Sequence, residues 1–466
     1  MARKLYALLG SVSLSVLLAA CGGDSGGGMS APTSNPPPPT DPPPAQTGTL
    51  EVRVTDPDGN PVPYAQVNVN APADSGTWTS SYSDGLGIAV FSSLPIGSVS
   101  AFASGWPSHY SSDQVEVQIA TGTRTNLSLT IAPVYAGTAI VLATRHISSV
   151  PDGSEIEFEA DIAVVDPSGQ PITGLDASHV TLPPSDCGDW DPLCIVDDAG
   201  QEAGRWTLVT GAPSAFEWRP GSTESVYAAG LLVDQGTYIG LERWDPGRKT
   251  AIVEFLDSFD PANSVALAEF SQPLGQTFAV RYLSHFVGDY NGRFVSEFAA
   301  LRNAALSIDR RVGGSSPVDL AVPEMLGTMD WWAPPQAREL VLVAPGGPAW
   351  DNQWVQTVVD ASEFWGTPVN LIGQGGPAAV AAVARSGGAL FIARFPAQMR
   401  TAFRSLDAVL SDSMPFYRMR FRLQMTETAA VDQPRTLRAS VGIALPARDD
   451  LWVPVSVRLG PAVPAP

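Results

Sequence analysis

The chain has 466 residues, a formal net charge of −20 at neutral pH and few charged residues for its length, 16%. Such acidity opposes nucleic-acid binding, which needs a basic footprint on the phosphate backbone. Several domains are expected at this length, and past the first twenty residues no segment offers the ~18 uninterrupted apolar residues of a membrane helix.

Arg3 and Lys4 precede an apolar stretch from Leu5 to Ala20, so residues 1–20 read as a signal peptide rather than a lasting span. The stretch ends in Leu18-Ala19-Ala20-Cys21, which resembles the bacterial lipobox. That resemblance implies cleavage before Cys21 and acylation of it, and several acyl chains on one residue anchor a protein stably. Gly22 in place of Asp implies, within the same resemblance, export to the outer membrane, so the expected location is the cell envelope. Residues 21–47 form a Gly/Ser-rich and then Pro-rich tether, semi-rigid and partly extended. Gly23-Asp24-Ser25-Gly26-Gly27 mimics the nucleophile loop of trypsin-like proteases, but no barrel precedes it to supply His and Asp.

Residues 48–132 alternate apolar and polar positions in short strands divided by turn signals, the pattern of a β-sandwich. Leu50-Glu51-Val52-Arg53-Val54, Asp56-Pro57-Asp58-Gly59-Asn60-Pro61 and Ser83-Asp84-Gly85-Leu86-Gly87 resemble a carboxypeptidase regulatory-like domain, a small transthyretin-like sandwich. Asp56, Asp58 and Asp84 read either as calcium ligands or as ordinary hairpin residues, and the absence of a full calcium loop favours hairpins.

Residues 133–222 again read as strands, with Ile162 to Leu175 resembling the Ig-like pairs that precede von Willebrand factor type A (vWA) domains in bacterial surface proteins. Cys187 and Cys194 are the only cysteines besides Cys21, so in an oxidising compartment a local Cys187–Cys194 disulfide is expected.

From 223 to 412 strand and helix patterns alternate. Tyr227 to Asp234 is an apolar run ending on an acid, and the next strands are 264–271, 339–344, 367–373 and 389–393. Helices are expected over 248–259, 297–308, 354–365, 379–385 and 399–410, so the alternation predicts a doubly wound, mostly parallel, Rossmann-like sheet. This order, with Asp234-Gln235-Gly236-Thr237-Tyr238 after the first strand, resembles a vWA domain. The family's metal site uses Asp-x-Ser-x-Ser, a later Thr and an Asp after the fourth strand. Here Asp234 is kept and Ser316 stands for the Thr, while Gly236, Tyr238 and Pro345 replace two hydroxyls and a carboxylate. One carboxylate and one hydroxyl make a poor magnesium site, so no metal or other cofactor is expected. Asp234 then caps the following helix start, the alternative being residual cation recruitment with Ser316 and waters.

Residues 413–466 complete the chain with strands. Arg418, Arg420 and Arg422 share one face of a strictly alternating segment, read as a solvated strand face or, less commonly, an anion-binding stripe. Strands on both sides of 223–412 suggest a vWA-like region inserted into one β-sandwich.

No catalytic constellation emerges. His109, His146, His179 and His285 are scattered, and Gly373-Gln374-Gly375-Gly376 lacks the lysine and spacing of a phosphate loop. The fold class is thus multidomain β plus α/β. The expected function is a non-enzymatic envelope lipoprotein that meets the membrane through its anchor and binds a protein partner through the vWA-like loops, without metal. Tyr238 and Trp350 are its candidate aromatic anchors. The alternatives are a metal-dependent adhesin with an atypical site and a structural or assembly component of an envelope complex.

Overall fold

A computed structural model describes residues 46–73, 75–105, 108–149, 154–183, 194–197, 202–208, 212–223, 225–235, 241–270, 280–283, 298–306, 308, 317–333, 337–344, 352–374, 376–428, 435–445 and 451–459. Among them no helix is long and apolar enough to cross a membrane.

Seven strands open the fold: β1 (Thr47–Thr55), β2 (Gln66–Asn70), β3 (Trp78–Tyr82), β4 (Ile88–Pro95), β5 (Gly97–Ser104), β6 (Val115–Ile119) and β7 (Arg124–Thr130). They form two sheets, ordered β4-β1-β7 and β3-β2-β5-β6. The two-residue period of β1 sends Leu50, Val52 and Val54 into a core shared with Val67, Val69, Val99 and Ala101. β1 runs antiparallel to β4 but parallel to β7.

The remaining strands are β8 (Thr138–Ser149), β9 (Glu155–Val165), β10 (Val180–Thr181), β11 (Ile195–Asp197), β12 (Glu202–Leu208), β13 (Ala215–Arg219), β14 (Tyr227–Asp234), β15 (Ser264–Phe270), β16 (Val280–Tyr282), β17 (Ala337–Val343), β18 (Val369–Gly373), β19 (Leu390–Ile392), β20 (Phe416–Thr428), β21 (Arg435–Ile443) and β22 (Leu451–Leu459). The helices are α1 (Leu241–Ser258), α2 (Phe298–Leu306), α3 (Val318–Trp332), α4 (Asn352–Trp365), α5 (Pro377–Ser386) and α6 (Pro396–Leu410).

All of these strands belong to one mixed sheet. Its α/β half runs β16-β15-β14-β17-β18-β19, parallel except for the edge strand β16. Counted from β14, that is the doubly wound order 3-2-1-4-5-6. Residues of α1, α2 and α6 share a core with one face of this half, and residues of α3, α4 and α5 share a core with the other. Strand β14 is buried throughout because both faces are covered, which explains its continuous apolar run. Close packing fixes its middle: a Cβ on Gly230 would lie 2.7 Å from Met325 Cε and 2.9 Å from Met329 Sδ of α3.

The strands before and after the α/β segment pair with each other. β20 lies between β9 and β12 and also pairs with β13, while β21 pairs with β10, β11 and β22. The α/β segment therefore leaves from β13 and returns through β20, two strands that are hydrogen-bonded to one another, and the β regions read separately as 133–222 and 413–466 form one sheet.

Three elements differ from the sequence reading. α1 begins at Leu241, running through Pro246 and Gly247, which signalled a break. α3 was not expected, because Pro323 interrupts its pattern. The short antiparallel strand β16 was also missed.

The same turn occurs in both β regions. In Asp56-Pro57-Asp58-Gly59-Asn60 and Asp166-Pro167-Ser168-Gly169-Gln170 the first Asp N–H donates to the carbonyl of the fifth residue, at 2.9 Å in each case. The Asp carboxylate accepts from that fifth residue's own N–H, at 2.8 and 3.0 Å, and Gly59 and Gly169 take φ near +84°. Asp84 likewise accepts from Leu86 and Ile88 N–H. Asp56 and Asp84 are hairpin residues.

Two arginines of the stripe, Arg418 and Arg420, are paired with carboxylates of the neighbouring strand, while Arg422 is exposed. Register places Arg418 opposite Asp161 and Arg420 opposite Glu159. Arg418 grips Asp161 with two hydrogen bonds of 2.8 and 3.0 Å, and Arg420 holds Glu159 at 2.6 Å. From the other side Arg145 of β8 reaches Glu159 at 3.3 Å and also Asp161. The two carboxylates are 7% and 3% exposed, so each needs its guanidinium partners to be tolerated at all. Replacing Asp161 by Ala leaves two half-buried arginines facing each other across β9. Asp161→Ala is expected to lose about 1–2 kcal/mol of unfolding free energy in urea, discounted for arginine exposure, and Asp161→Glu about half as much.

Candidate functional site

Asp234 closes β14, the central strand of the parallel half, at the carboxyl end where open α/β sheets bind ligands. It is buried, and the pairing of β14 with β15 continues one residue past it, with Gln235 N–H donating to Phe270 O at 2.8 Å. The other matched positions, Gly236, Tyr238, Ser316 and Pro345, lie outside the described residues, as do Trp350, Cys21 and Cys187. Cys194 is buried at the start of β11. Among the described residues no three His, Cys, Asp or Glu side chains converge.

A cation that the sequence reading overlooked reaches this strand end. Arg248, about two helical turns into α1, reaches back to the end of β14 and is 1% exposed. Its Nη1 donates to the Asp234 carbonyl at 2.5 Å and its Nη2 to Gln235 Oε1 at 3.1 Å. Gln235 Nε2 donates to Glu269 Oε2 at 3.3 Å, and Glu269 pairs with Arg281 of β16 at 2.5 Å. Arg248, Gln235, Glu269 and Arg281 thus form a relay from the buried end of β14 to the surface at the sheet edge. Glu269 was visible as a lone charge within an otherwise apolar strand, Ser264 to Phe270, and a buried charge demands a partner. Arg248 gave no such signal, because it stands beside Lys249 at the expected start of a helix.

The most perturbed carboxylate lies elsewhere. Glu339 sits early in β17, away from the strand ends that carry Asp234, and accepts from Asn370 Nδ2 at 2.8 Å. Burial pushes its pKa up to about 7, with the Asn370 hydrogen bond pulling it down and the charge of Asp412 adding to the rise. Asn370 also accepts from Ala389 N–H at 2.7 Å, so the pair ties three parallel strand segments together. It is a structural group rather than an acid–base catalyst facing a cleft.

Residues 49–132 match the model of the carboxypeptidase regulatory-like domain. No curated protein matches the chain. Solved structures with similarity include proximal thread matrix protein 1 from the mussel byssus, at 12% identity and TM-score 0.33, covering 41% of this chain and 49% of that one. A von Willebrand factor type A protein from Catenulispora acidiphila matches at 10% identity and TM-score 0.32, over 69% of this chain and 73% of its own. An aerotolerance-related membrane protein from Bacteroides fragilis matches at 11% and 0.29, over 40% and 98%. The chain thus spans about half the length of the mussel protein. At scores this low the observed strand order, not the overlap, identifies the doubly wound sheet.

Two substitutions probe these groups. Arg248→Met leaves the buried Asp234 carbonyl without its donor and is expected to lower stability by about 1–3 kcal/mol in urea. Arg248→Lys should recover only part of it, lacking the two-pronged fork. For Glu339, folding raises the pKa above the ordinary 4.5. Below pH 4.5 both states are protonated and the residue costs nothing. Between 4.5 and about 7 the folded form keeps a proton that the unfolded form loses, so stability falls as pH rises through that window. Glu339→Gln should match wild type at pH 4.5 and exceed it by about 1–3 kcal/mol at pH 8. Urea midpoints at the two pH values check this.

Proposed function

We propose that the protein is a non-enzymatic, lipid-anchored component of the cell envelope that binds a protein partner at the carboxyl ends of its parallel strands, without a metal ion. A carboxypeptidase regulatory-like domain beside a vWA-like sheet supports a binding role rather than catalysis. The observation that carries the metal-free reading is Arg248. A fixed guanidinium already lies within hydrogen-bonding distance of the Asp234 main chain in a site nearly closed to water, where electrostatic repulsion of a second cation is strong. The donor set points the same way, since Gly236, Tyr238 and Pro345 supply none of the oxygens that the vWA resemblance calls for.

Calorimetry with magnesium and manganese on the purified protein is expected to show no saturable binding, and capture of partners from the envelope should be unchanged by chelator. Saturable metal binding that disappears in Asp234→Ala would instead establish the metal-dependent adhesin. One observation favours a second seat for the partner, in keeping with an assembly role. Trp331 of α3 and Phe364 of α4 are 79% and 77% exposed, and large exposed aromatics are common at interfaces. If Trp331→Ala with Phe364→Ala abolishes capture while Asp234→Ala does not, the partner sits on the helices.

Anchoring is tested separately. Cys21→Ser should shift the protein from the membrane to the soluble fraction, and processing and membrane association like wild type would refute lipidation. Mass spectrometry of unreduced peptides from the same preparation should show Cys187 linked to Cys194, whereas two alkylated thiols would refute the disulfide.

A further inference from the structure

Among the described residues the small sandwich has four strand edges, and three of them are guarded. An edge offers a row of unpaired N–H and C=O groups, and proteins blunt it with charges, prolines or bulges. Strand β4 has Ser93 at φ +59°, a register break against β1 and Pro95 at its end. Strand β6 carries the exposed Glu116, and β7 the exposed Arg124. Strand β3, at the end of the order β3-β2-β5-β6, has none of these devices. Its sequence Trp78-Thr79-Ser80-Ser81-Tyr82 is free of charge and proline, pairs with β2 without a register shift, and is exposed at every position but Ser81.

The direction of the free groups follows from one hydrogen bond. Ser83 N–H donates to Ala65 O at 2.9 Å, in step with the pairing of Gln66 with Tyr82. Successive residues of a strand turn their N–H and C=O to opposite sides. Thr79 and Ser81 therefore bond to β2, while Trp78, Ser80 and Tyr82 aim their main-chain groups at the open edge. The same three residues share the outer face, since Val67 and Val69, opposite Ser81 and Thr79, belong to the core. On that face Trp78 and Tyr82 are large rings 42% and 56% exposed, Trp78 standing edge-on to Phe102 of β5 at 5.3 Å. Between them the Ser80 hydroxyl turns back to donate to Asn68 Oδ1 of β2 at 2.6 Å, so the middle of the edge is small.

We propose that β3 is a self-docking edge, through which two copies of the protein pair as antiparallel strands across a two-fold axis at Ser80. The sequence is self-complementary in that register. Ser80 meets Ser80 of the partner subunit, and on each side of the axis Trp78 meets Tyr82 of the partner subunit. All are hydrogen-bonded pairs that use the free N–H and C=O groups. Each exposed aromatic gains an aromatic opposite it, the kind of cross-strand pair that stabilises antiparallel sheets. Sliding one strand by two residues separates these aromatics and shortens the overlap. The four-stranded sheets of the two copies then form one continuous sheet. The contact is smaller than a standard interface, so the dimer is weak and builds with concentration. It is independent of the partner-binding reading above, since it uses neither the strand end at Asp234 nor Trp331 and Phe364.

The test uses the purified full-length protein and follows its mass against concentration by sedimentation. Wild type is expected to move from monomer toward dimer as concentration rises. Ser80→Lys brings two ammonium groups face to face at the axis and should weaken the dimer by about tenfold or more, as should Ser80→Glu with two carboxylates. An equimolar mixture of the two variants should recover the dimer, because a residue on a two-fold axis meets the opposite charge only in the mixed pair. Cα atoms of a hydrogen-bonded antiparallel pair lie about 5.5 Å apart, within reach of a disulfide. Ser80→Cys should therefore give a covalent dimer on mild oxidation, and Ser92→Cys on the guarded edge β4 should not. The proposal is overturned if wild type stays monomeric at the highest concentration, or if Ser80→Lys dimerises as wild type does. It is equally overturned if the mixture is as weak as its components, or if Ser92→Cys cross-links as readily as Ser80→Cys. Near-UV circular dichroism identical to wild type assures that a loss in a variant is not a loss of fold.

Discussion

The larger unit depends on β8, the strand that belongs to two architectures at once. Its first residues pair antiparallel with β19 at the edge of the parallel sheet, and its whole length pairs with β9 of the β half. Register shifts at Val141/Ala143 and His146/Ser148 bend it, as bulges do, so one strand can follow the twist of both halves. Helix α6 fastens the joint: Thr401 donates to Ala136 O at 2.7 Å, Gln398 to Tyr135 O at 3.3 Å and Arg404 to Pro167 O at 2.8 Å. Without β8 the parallel sheet would end in a bare edge at β19, and the β half would lose the strand that backs its ion-pair ladder.

Much of the α/β half was readable from sequence because its signals are local. A strand covered on both faces must be apolar at every position, and its crossover helix must repeat every three to four residues, so β14, β15, β17 and α4 to α6 leave periodic traces. The misses have equally physical causes. Pro246 and Pro323 look like helix breakers in one dimension, yet α1 and α3 run through them. The ladder of Arg418 and Arg420 on Glu159 and Asp161 depends on strand register across some 260 positions, which one sequence does not encode visibly. Its acidic half was nevertheless there to be seen, as Glu155, Glu157, Glu159 and Asp161 alternating along one strand. Of the candidate site, Asp234 was legible as an acid ending a buried run, whereas Arg248 joins it only through the return of a helix.

Arginine is the means by which this acidic chain handles charge internally. With Lys4 and Lys249 the only lysines, nearly every basic group is a guanidinium, which is weakly hydrated and can hold a carboxylate with two parallel hydrogen bonds. That chemistry lets charges enter places where an ammonium would be costly: the strand end at Asp234, the β8–β9–β20 ladder, and the β21 rim where Arg435 is buried. The surface keeps the excess of acids, which maintains solubility and discourages unspecific contact with polyanions.

The parallel pairing of β1 with β7 carries a mechanical consequence. Tension entering ahead of Thr47 and resisted by the body that follows Thr130 pulls at the start of one strand and the end of its neighbour. Because the two run the same way, that load slides them lengthwise instead of peeling them apart. The pairs from Thr49–Arg124 to Thr55–Thr130 then share the force and give way together, not one after another. Under such a load strand β1 is therefore a shear lock, and the small sandwich can transmit a sustained pull to the larger body without unzipping.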